Sequence, residues 1–357
     1  MRICAYRGYA TPTRVFVCGR VLSSKSPREL RGDEGLCRNL LNTYRRIATT
    51  EVPHVAVTVQ LAADAQSTRT DREGYYHAEV ARSSERDQLW LTATARCQVR
   101  GAELSAEHEI VAPGPDAEFG IISDLDDTVI ETNMTSLLTA AKLTFIGNAK
   151  TRKPLEGVAA LYASLQNGRA GRPVNPIFYV STSPWNLYDL LCDFMDLNQI
   201  PRGPLFLRDW GMHQVLGRAP GHAMKLERAL KIMADFPQLP FVLVGDSGQH
   251  DAGVYAQVAA QHPERVKAIY IRDVDPSTAS RRDDEVRAHI RTATSHGVPM
   301  LLATNSEAMA EHAAEIGLIP ARVEAEVKLE VAKDQERPTL ATVAAKEVLG
   351  IDSGQSG

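Results

Sequence analysis

Cysteine is scarce in this chain of 357 residues. The five that occur, Cys4, Cys18, Cys37, Cys97 and Cys192, are odd in number and scattered. They form no paired metal-ligand motif and no disulfide framework, so they read as reduced thiols in a cytoplasmic protein. Long apolar runs are also missing. No stretch approaches the roughly 20 residues that a membrane-spanning helix needs. The first residues, MRICAYRGYATPTRVFVCGR, lack the apolar core of a signal peptide. Neither sign of charge dominates: 40 Lys and Arg face 44 Asp and Glu, a net charge of −4. That balance gives no reason to expect nucleic acid, or strong attraction to an acidic membrane. The ten histidines contain no HxxxH or HExxH spacing, so no zinc site is expected.

What is present fits an ordinary globular protein with room for two domains. Hydrophobic residues make up 44% and charged residues 24%. Up to about residue 115, short alternating runs dominate: RVFVCGRVL, HVAVTVQLAA, GYYHAEV and LWLTATARCQV. Val55, Val57, Val59 and Leu61 repeat at period two, the pattern of a half-buried strand. TDREGYY supplies turn chemistry between two such runs. This half predicts a smaller, antiparallel β-sandwich-like domain over 1–115, with a helical insertion at DEGLCRNLLNTYRRI. VAPGPDAE then reads as a linker between separately cored units.

After the linker the rhythm changes to strand, helix, strand. Apolar runs stand at FGII, IFYV, LFL, FVLV, AIYI and MLLA. Amphipathic patterns lie between them. Leu187, Leu190, Leu191 and Phe194 mark one helix face, with Ser183 as expected N-cap and Pro184 at the first helical position. Leu226, Ala229, Leu230 and Met233 mark another. Such alternation predicts a parallel α/β sheet covered by helices on both faces, over 116–320. Residues 321–357 read as a tail, partly disordered. ASRRDDEVRAHIRTATSHG reads as a charged, solvated helix.

The stretch FGIISDLDDTVIET places three aspartates, Asp124, Asp126 and Asp127, directly after an apolar strand. Ligands of open parallel sheets bind beyond the carboxyl ends of the strands. Ser181 follows IFYV and Asp246 follows FVLVG, so three strands deliver polar groups to one edge. Carboxylates crowded this closely predict a bound cation. Oxygen-only ligands favour a hard ion such as Mg²⁺, which in turn suits phosphate-bearing substrates. An aspartate can also attack phosphorus to form an aspartyl-phosphate. A second carboxyl two residues along would serve as acid and then base.

DLDDT resembles the DxDxT motif of haloacid-dehalogenase-like phosphatases. SDLDDTVIETN, FYVSTSPWNLYDLL, LFLRDWG and FVLVGDSGQHDAGVY narrow the likeness to the catalytic-domain family of the actin-patch-associated phosphatidate phosphatases. The resemblance implies a Rossmann-like (HAD-like) parallel sheet and Mg²⁺-dependent dephosphorylation of phosphatidate to diacylglycerol. It implies Asp124 as nucleophile and Asp126 as general acid and base. It implies Mg²⁺ held by Asp124, by the Asp126 backbone carbonyl, and by Asp246 and Asp251 of GDSGQHD. Ser181 would hydrogen-bond the phosphoryl group, with Thr182 beside it. Lys225 would balance the charge of nucleophile and phosphate. The family more often carries His directly before this lysine. Here Met224 stands there, and His222 is read either as its substitute or as a loop residue.

Arg208 lies at the same strand edge, where a guanidinium suits phosphate oxygens, or else pairs structurally with Asp209. Trp185 and Trp210 flank that edge and read as core packing. Residues 129–176 hold either a lid or plain covering helices. Two other readings are carried. One is a non-catalytic module that recruits a membrane or protein, which the intact Asp124, Asp126, Lys225 and Asp246 argue against. The other is a phosphatase of soluble esters. A phospholipid substrate would require peripheral docking, since no anchor is visible.

Overall fold

The computed structural model describes residues 1–23, 50–82, 88–125, 128, 156–208, 221–248, 250–274 and 281–336. The expected helical insertion at 33–47 lies outside them. So do Asp126, Asp127, Asp209, Trp210 and residues 129–155.

The front half builds one eight-stranded sheet. Its strands are β1 (Arg2–Ala5), β2 (Gly8–Ala10), β3 (Arg14–Leu22), β4 (Ala56–Leu61), β5 (Asp64–Arg69), β6 (Tyr75–Ala81), β7 (Trp90–Val99) and β8 (Ala102–Val111). The order is β1-β3-β2-β8-β7-β4-β5, with β6 on the other edge of β3. Pairing is antiparallel except between β2 and β8. A β-sandwich-like domain was the expectation. The long β3 instead pairs with β1, β2 and β6, so all eight strands join in one hydrogen-bonded sheet. The period-two pattern holds: Val57 and Val59 are buried, while Ala56, Thr58 and Gln60 are exposed. They share a core with Val15, Val17 and Val21 of β3 and Tyr76 of β6. The expected turn is held by Asp71, whose Oδ1 accepts the Glu73 and Tyr75 N–H groups at 2.9 Å each.

The back half is a six-stranded parallel sheet. In chain order it runs β9 (Gly120–Asp124), α1 (Val158–Asn167), β10 (Ile177–Pro184), α2 (Tyr188–Leu197), β11 (Leu205–Arg208), α3 (Gly221–Asp235), β12 (Phe241–Asp246), α4 (Asp251–Gln261), β13 (Val266–Arg272), α5 (Arg281–Ser295), β14 (Met300–Ala303), α6 (Ser306–Glu315) and α7 (Ala321–Glu336). Strand order is β11-β10-β9-β12-β13-β14. The six apolar runs are its strands. They read as unbroken apolar stretches because helices cover both faces. Leu161, Tyr162, Leu191, Phe194, Met309 and Val327 pack α1, α2, α6 and α7 on one face. Ala229, Ile232, Met233, Val254, Val258 and Val286 pack α3, α4 and α5 on the other.

Two local features differ from expectation or extend it. Ser183 caps no helix. Its N–H donates to Ser181 Oγ at 2.9 Å, the chain stays extended through Pro184, and a 3-10 turn at Trp185–Leu187 precedes α2. Residues 321–336 form α7, which buries Val327 and Val331 and is tied to the start of α1. There Asp334 Oδ2 accepts the N–H of Gly157, whose φ of 68° suits glycine. Among the described residues no helix is long and apolar enough to cross a membrane.

Candidate active site

The order of strands places β9 between β10 and β12, so three carboxyl ends converge. Register sets Val180 opposite Asp124 and Val244 opposite Ser123. Ser181 and Asp246 therefore emerge beside Asp124 at the top of the sheet. Asp124, Ser181, Asp246 and Asp251 are wholly buried, and Lys225 is 3% exposed.

Asp251 opens α4 and arrives through a tight turn. His250 precedes it with φ of 70°, a left-handed conformation uncommon for residues other than glycine. Gly245 makes the approach possible. A methyl there would sit 2.6 Å from Asp251 Cβ and 2.8 Å from its Oδ2. Asp251 Oδ2 accepts the Asp246 N–H at 3.3 Å, which ties the two acids together. Asp246 Oδ1 accepts the Gly248 N–H.

Lys225 reaches into this cluster from α3. Its Nζ lies 2.8 Å from Asp124 Oδ1 and 2.6 Å from Asp251 Oδ1. Burial alone would lower its pKa. Asp124, then Asp251 and Asp246, outweigh that and hold it above the ordinary lysine range. The lysine is thus a fixed cation among three acids. One oxygen from each of Asp124, Asp246 and Asp251 lies within 4.8 Å of the others. Oxygens sharing one small hard cation stand about 3–4 Å apart, so the cluster is close to that size. Three buried carboxylates within this distance make an oxygen-only set that suits a hard divalent cation. The residues fit a metal.

The structure therefore brings together Asp124, Ser181, Lys225, Asp246 and Asp251. Thr182 and Arg208 also gather nearby. A methyl on Gly221, at the start of α3, would lie 3.0 Å from Thr182 Cγ2 and 3.9 Å from Arg208 Nη1. Asp126 lies outside the described residues. His222 belongs to the first turn of α3, not to a loop, and its ring stands 5.8 Å from that of His250. Trp185 packs against Tyr6, as expected of a core residue.

Two residues escaped the sequence. Tyr162 of α1 is wholly buried, with its hydroxyl 2.6 Å from Ser123 Oγ. Ser123 Oγ donates to the Asp124 carbonyl at 2.5 Å. The pair holds the backbone at Asp124. Burial, with the Asp124 charge added, raises the Tyr162 pKa, so the phenol stays protonated as a donor. Nothing local marks it, since Tyr162 follows Ser123 by 39 residues.

Comparison with known proteins finds a family match over this region. Residues 119–273 match the family described as phosphatidate phosphatase APP1, catalytic domain. A Saccharomyces cerevisiae protein, phosphatidate phosphatase APP1, is 33% identical over 172 residues. That match covers 47% of this chain and 28% of the yeast protein. An uncharacterized Schizosaccharomyces pombe protein is 32% identical over 158 residues, covering 44% of this chain and 25% of its own length. The chain thus spans under a third of either relative. Among solved structures, a carbohydrate acetylesterase from Xanthomonas citri is 11% identical over 80% of this chain and 71% of its own. Its TM-score of 0.25 is too low to inform the fold. Residues 119–273, with buried acids at two strand ends and at the start of α4, thus match the phosphatidate phosphatase APP1 catalytic-domain family.

Proposed function

We propose that this chain is a Mg²⁺-dependent phosphatase of the haloacid-dehalogenase type. It hydrolyses a phosphate monoester, phosphatidate to diacylglycerol, through an aspartyl-phosphate. The catalytic unit is 116–320, with 1–115 as a β-rich accessory domain. The observation that carries this reading is the buried cluster of Asp124, Asp246 and Asp251 around Lys225. Membership of residues 119–273 in the family supports the substrate class. A lipid substrate implies peripheral contact with a membrane surface.

Asp124 attacks phosphorus as its ester P–O bond breaks. The departing alkoxide takes a proton from Asp126. Asp126, now a carboxylate, deprotonates a water that attacks phosphorus. The Asp124–phosphorus bond breaks and inorganic phosphate leaves. Splitting one hydrolysis into two displacements lowers each barrier. Lys225 is held cationic, so it offsets the charge that nucleophile and phosphate bring together. Ser181, Thr182 and Arg208 donate to the phosphoryl oxygens from the β10 and β11 side. Bound by Asp124, Asp246, Asp251 and the Asp126 carbonyl, Mg²⁺ would neutralise phosphoryl oxygens during transfer.

The test compares short-chain phosphatidate with soluble sugar, nucleotide and aryl phosphates, with EDTA and then with Mg²⁺. Turnover should vanish on chelation and return with Mg²⁺. Asp124→Asn should keep the fold and retain under about 1% of turnover. Full activity after exhaustive chelation would remove the metal from the mechanism. Preference for a soluble ester would remove phosphatidate.

A further inference from the structure

Beyond Val180, β10 leaves its partner on the nucleophile side. Its ladder with β9 ends at Val180 opposite Asp124. Its ladder with β11 slips between Val180 and Pro184, where Pro184 comes opposite Arg208. The segment carrying Ser181 and Thr182 is therefore an irregular strand end, a feature common beside active sites. Ser181 Oγ accepts the Ser183 N–H within it, and contacts from outside hold the residues that follow.

The eight-stranded sheet does so from behind. Arg20 of β3 is 6% exposed and stretched across the junction. Its Nη1 donates to Asn186 Oδ1 at 2.8 Å. Its Nε donates to the Glu73 carbonyl at 2.8 Å, and its Nη2 to Glu51 Oε1 at 3.1 Å. The guanidinium also lies 4.4 Å from the Tyr75 ring centre. It is thus locked before it reaches Asn186. Tyr6 stacks on Trp185 at 4.4 Å and 25°. The Tyr188 hydroxyl accepts the Arg7 N–H at 2.7 Å. Trp185, Asn186 and Tyr188, the residues just past the strand end, are each held by the other sheet. Tyr6, Arg20, Trp185, Asn186 and Tyr188 line one cavity at this junction.

We propose that Arg20 and Tyr6 are positioning residues for the phosphate-binding end of β10. They touch no substrate. They fix the Trp185–Asn186 turn, and through it the placement of Ser181 and Thr182. This rests on reading the site as a phosphatase, but the test separates the two. Arg20→Ala, Asn186→Ala, Asn186→Asp and the Arg20→Ala/Asn186→Ala double variant are made in the full chain. Binding of inorganic phosphate is measured by calorimetry with Mg²⁺ present, alongside KM and kcat for an aryl phosphate and the Mg²⁺ needed for half activity.

Each alanine variant should weaken phosphate binding and raise KM together, by about tenfold. The Mg²⁺ requirement should stay within about twofold, because the acids stand on other strands. The double variant should be no worse than the worse single, as expected of two ends of one contact. Asn186→Asp keeps the acceptor and should bind phosphate as wild type does. A merely structural role would lower the melting temperature and leave phosphate affinity of the folded protein unchanged, and that result overturns the proposal. So does a double variant whose losses multiply. If Arg20→Ala does not fold, the two Asn186 variants decide alone. A wild type that binds phosphate without turning over esters would sink the phosphatase reading, while the affinities still decide this one. A wild type that binds no phosphate overturns both.

Discussion

Lys225→Met removes one charge from the centre of the site and little else. Met matches the length and apolar stem of lysine. In the wild type, Nζ stands 2.8 Å from Asp124 and 2.6 Å from Asp251, at 3% exposure. Without it, Asp124 and Asp251 lose the ammonium they share. Removing one partner of a buried ion pair costs about 3–5 kcal/mol. For a chain of this length, entropy of roughly 2 cal/mol/K per residue turns that into a fall in melting temperature of about 4–7 °C. A divalent cation restores the missing positive charge, so Mg²⁺ should raise the variant's melting temperature more than the wild type's. The wild-type contribution should not depend on pH near neutrality. The Lys225 pKa is raised in the folded state, so its contribution is complete below the ordinary lysine value. It is lost only as pH rises through the folded value, in strong alkali. Between pH 5 and 8 the wild type should feel nothing from this group. Melting followed by circular dichroism, in EDTA and in Mg²⁺, reads all of this. Turnover at saturating Mg²⁺ should drop at least about 100-fold. A variant as stable as wild type in EDTA, with no larger response to Mg²⁺, would refute the charge argument.

Two further changes test other parts of the structure. Gly245→Ala sets a methyl 2.6 Å from Asp251 Cβ and 2.8 Å from Tyr255 Cε2, so the start of α4 must shift. We expect about 1–3 kcal/mol of lost stability and a higher Mg²⁺ requirement, read by melting and by metal titration of activity. His108 is wholly buried between the Tyr76 hydroxyl and the Tyr6 carbonyl, and burial lowers its pKa. The unfolded chain binds a proton there more readily, so stability should fall as pH drops below about 6.5. His108→Gln should flatten the urea midpoint between pH 7.5 and 5, and an unchanged slope would exclude His108 as its source.

The parallel sheet was legible because its strands are buried on both faces. FVLV and AIYI carry no polar interruption, and among known architectures only a sheet covered twice asks for that. Asp124 and Asp246 were legible because each closely follows such a run, as Asp124 follows FGIIS, whereas Asp251 entered only through the likeness of GDSGQHD. The supporting contacts were not. Arg20 and Asn186 are 166 residues apart, and Tyr162 and Ser123 are 39 apart. No periodicity or capping rule links residues at such separations, and each looks unremarkable in its own strand or helix. The helix start after β10 was misplaced for a related reason. Ser183-Pro184 has the composition of a cap, but the Ser181 hydroxyl takes the Ser183 N–H and prolongs the extended chain.

The change of rhythm near residue 115 marks a change of architecture, and the packing runs across it. The front sheet has a core of its own around Val57, Val59 and Tyr76. Yet Tyr6 and Tyr75 are buried in the cluster of α1 and α2, and Tyr9 and Val111 in that of α3 and α4. The Tyr9 hydroxyl donates to Asp235 at the end of α3 at 2.6 Å, and its ring meets Phe178 of β10 edge-on at 6.0 Å. Arg7 joins Glu109 at 2.8 Å, and Glu109 meets Arg202, which in turn pairs with Asp196 of α2. These contacts lie along β10, α2 and α3, the elements that carry Ser181 and Lys225. A proline-bearing linker informs on chain flexibility where it stands, and nothing on which side chains meet beyond it. The front sheet therefore holds the elements that build the site.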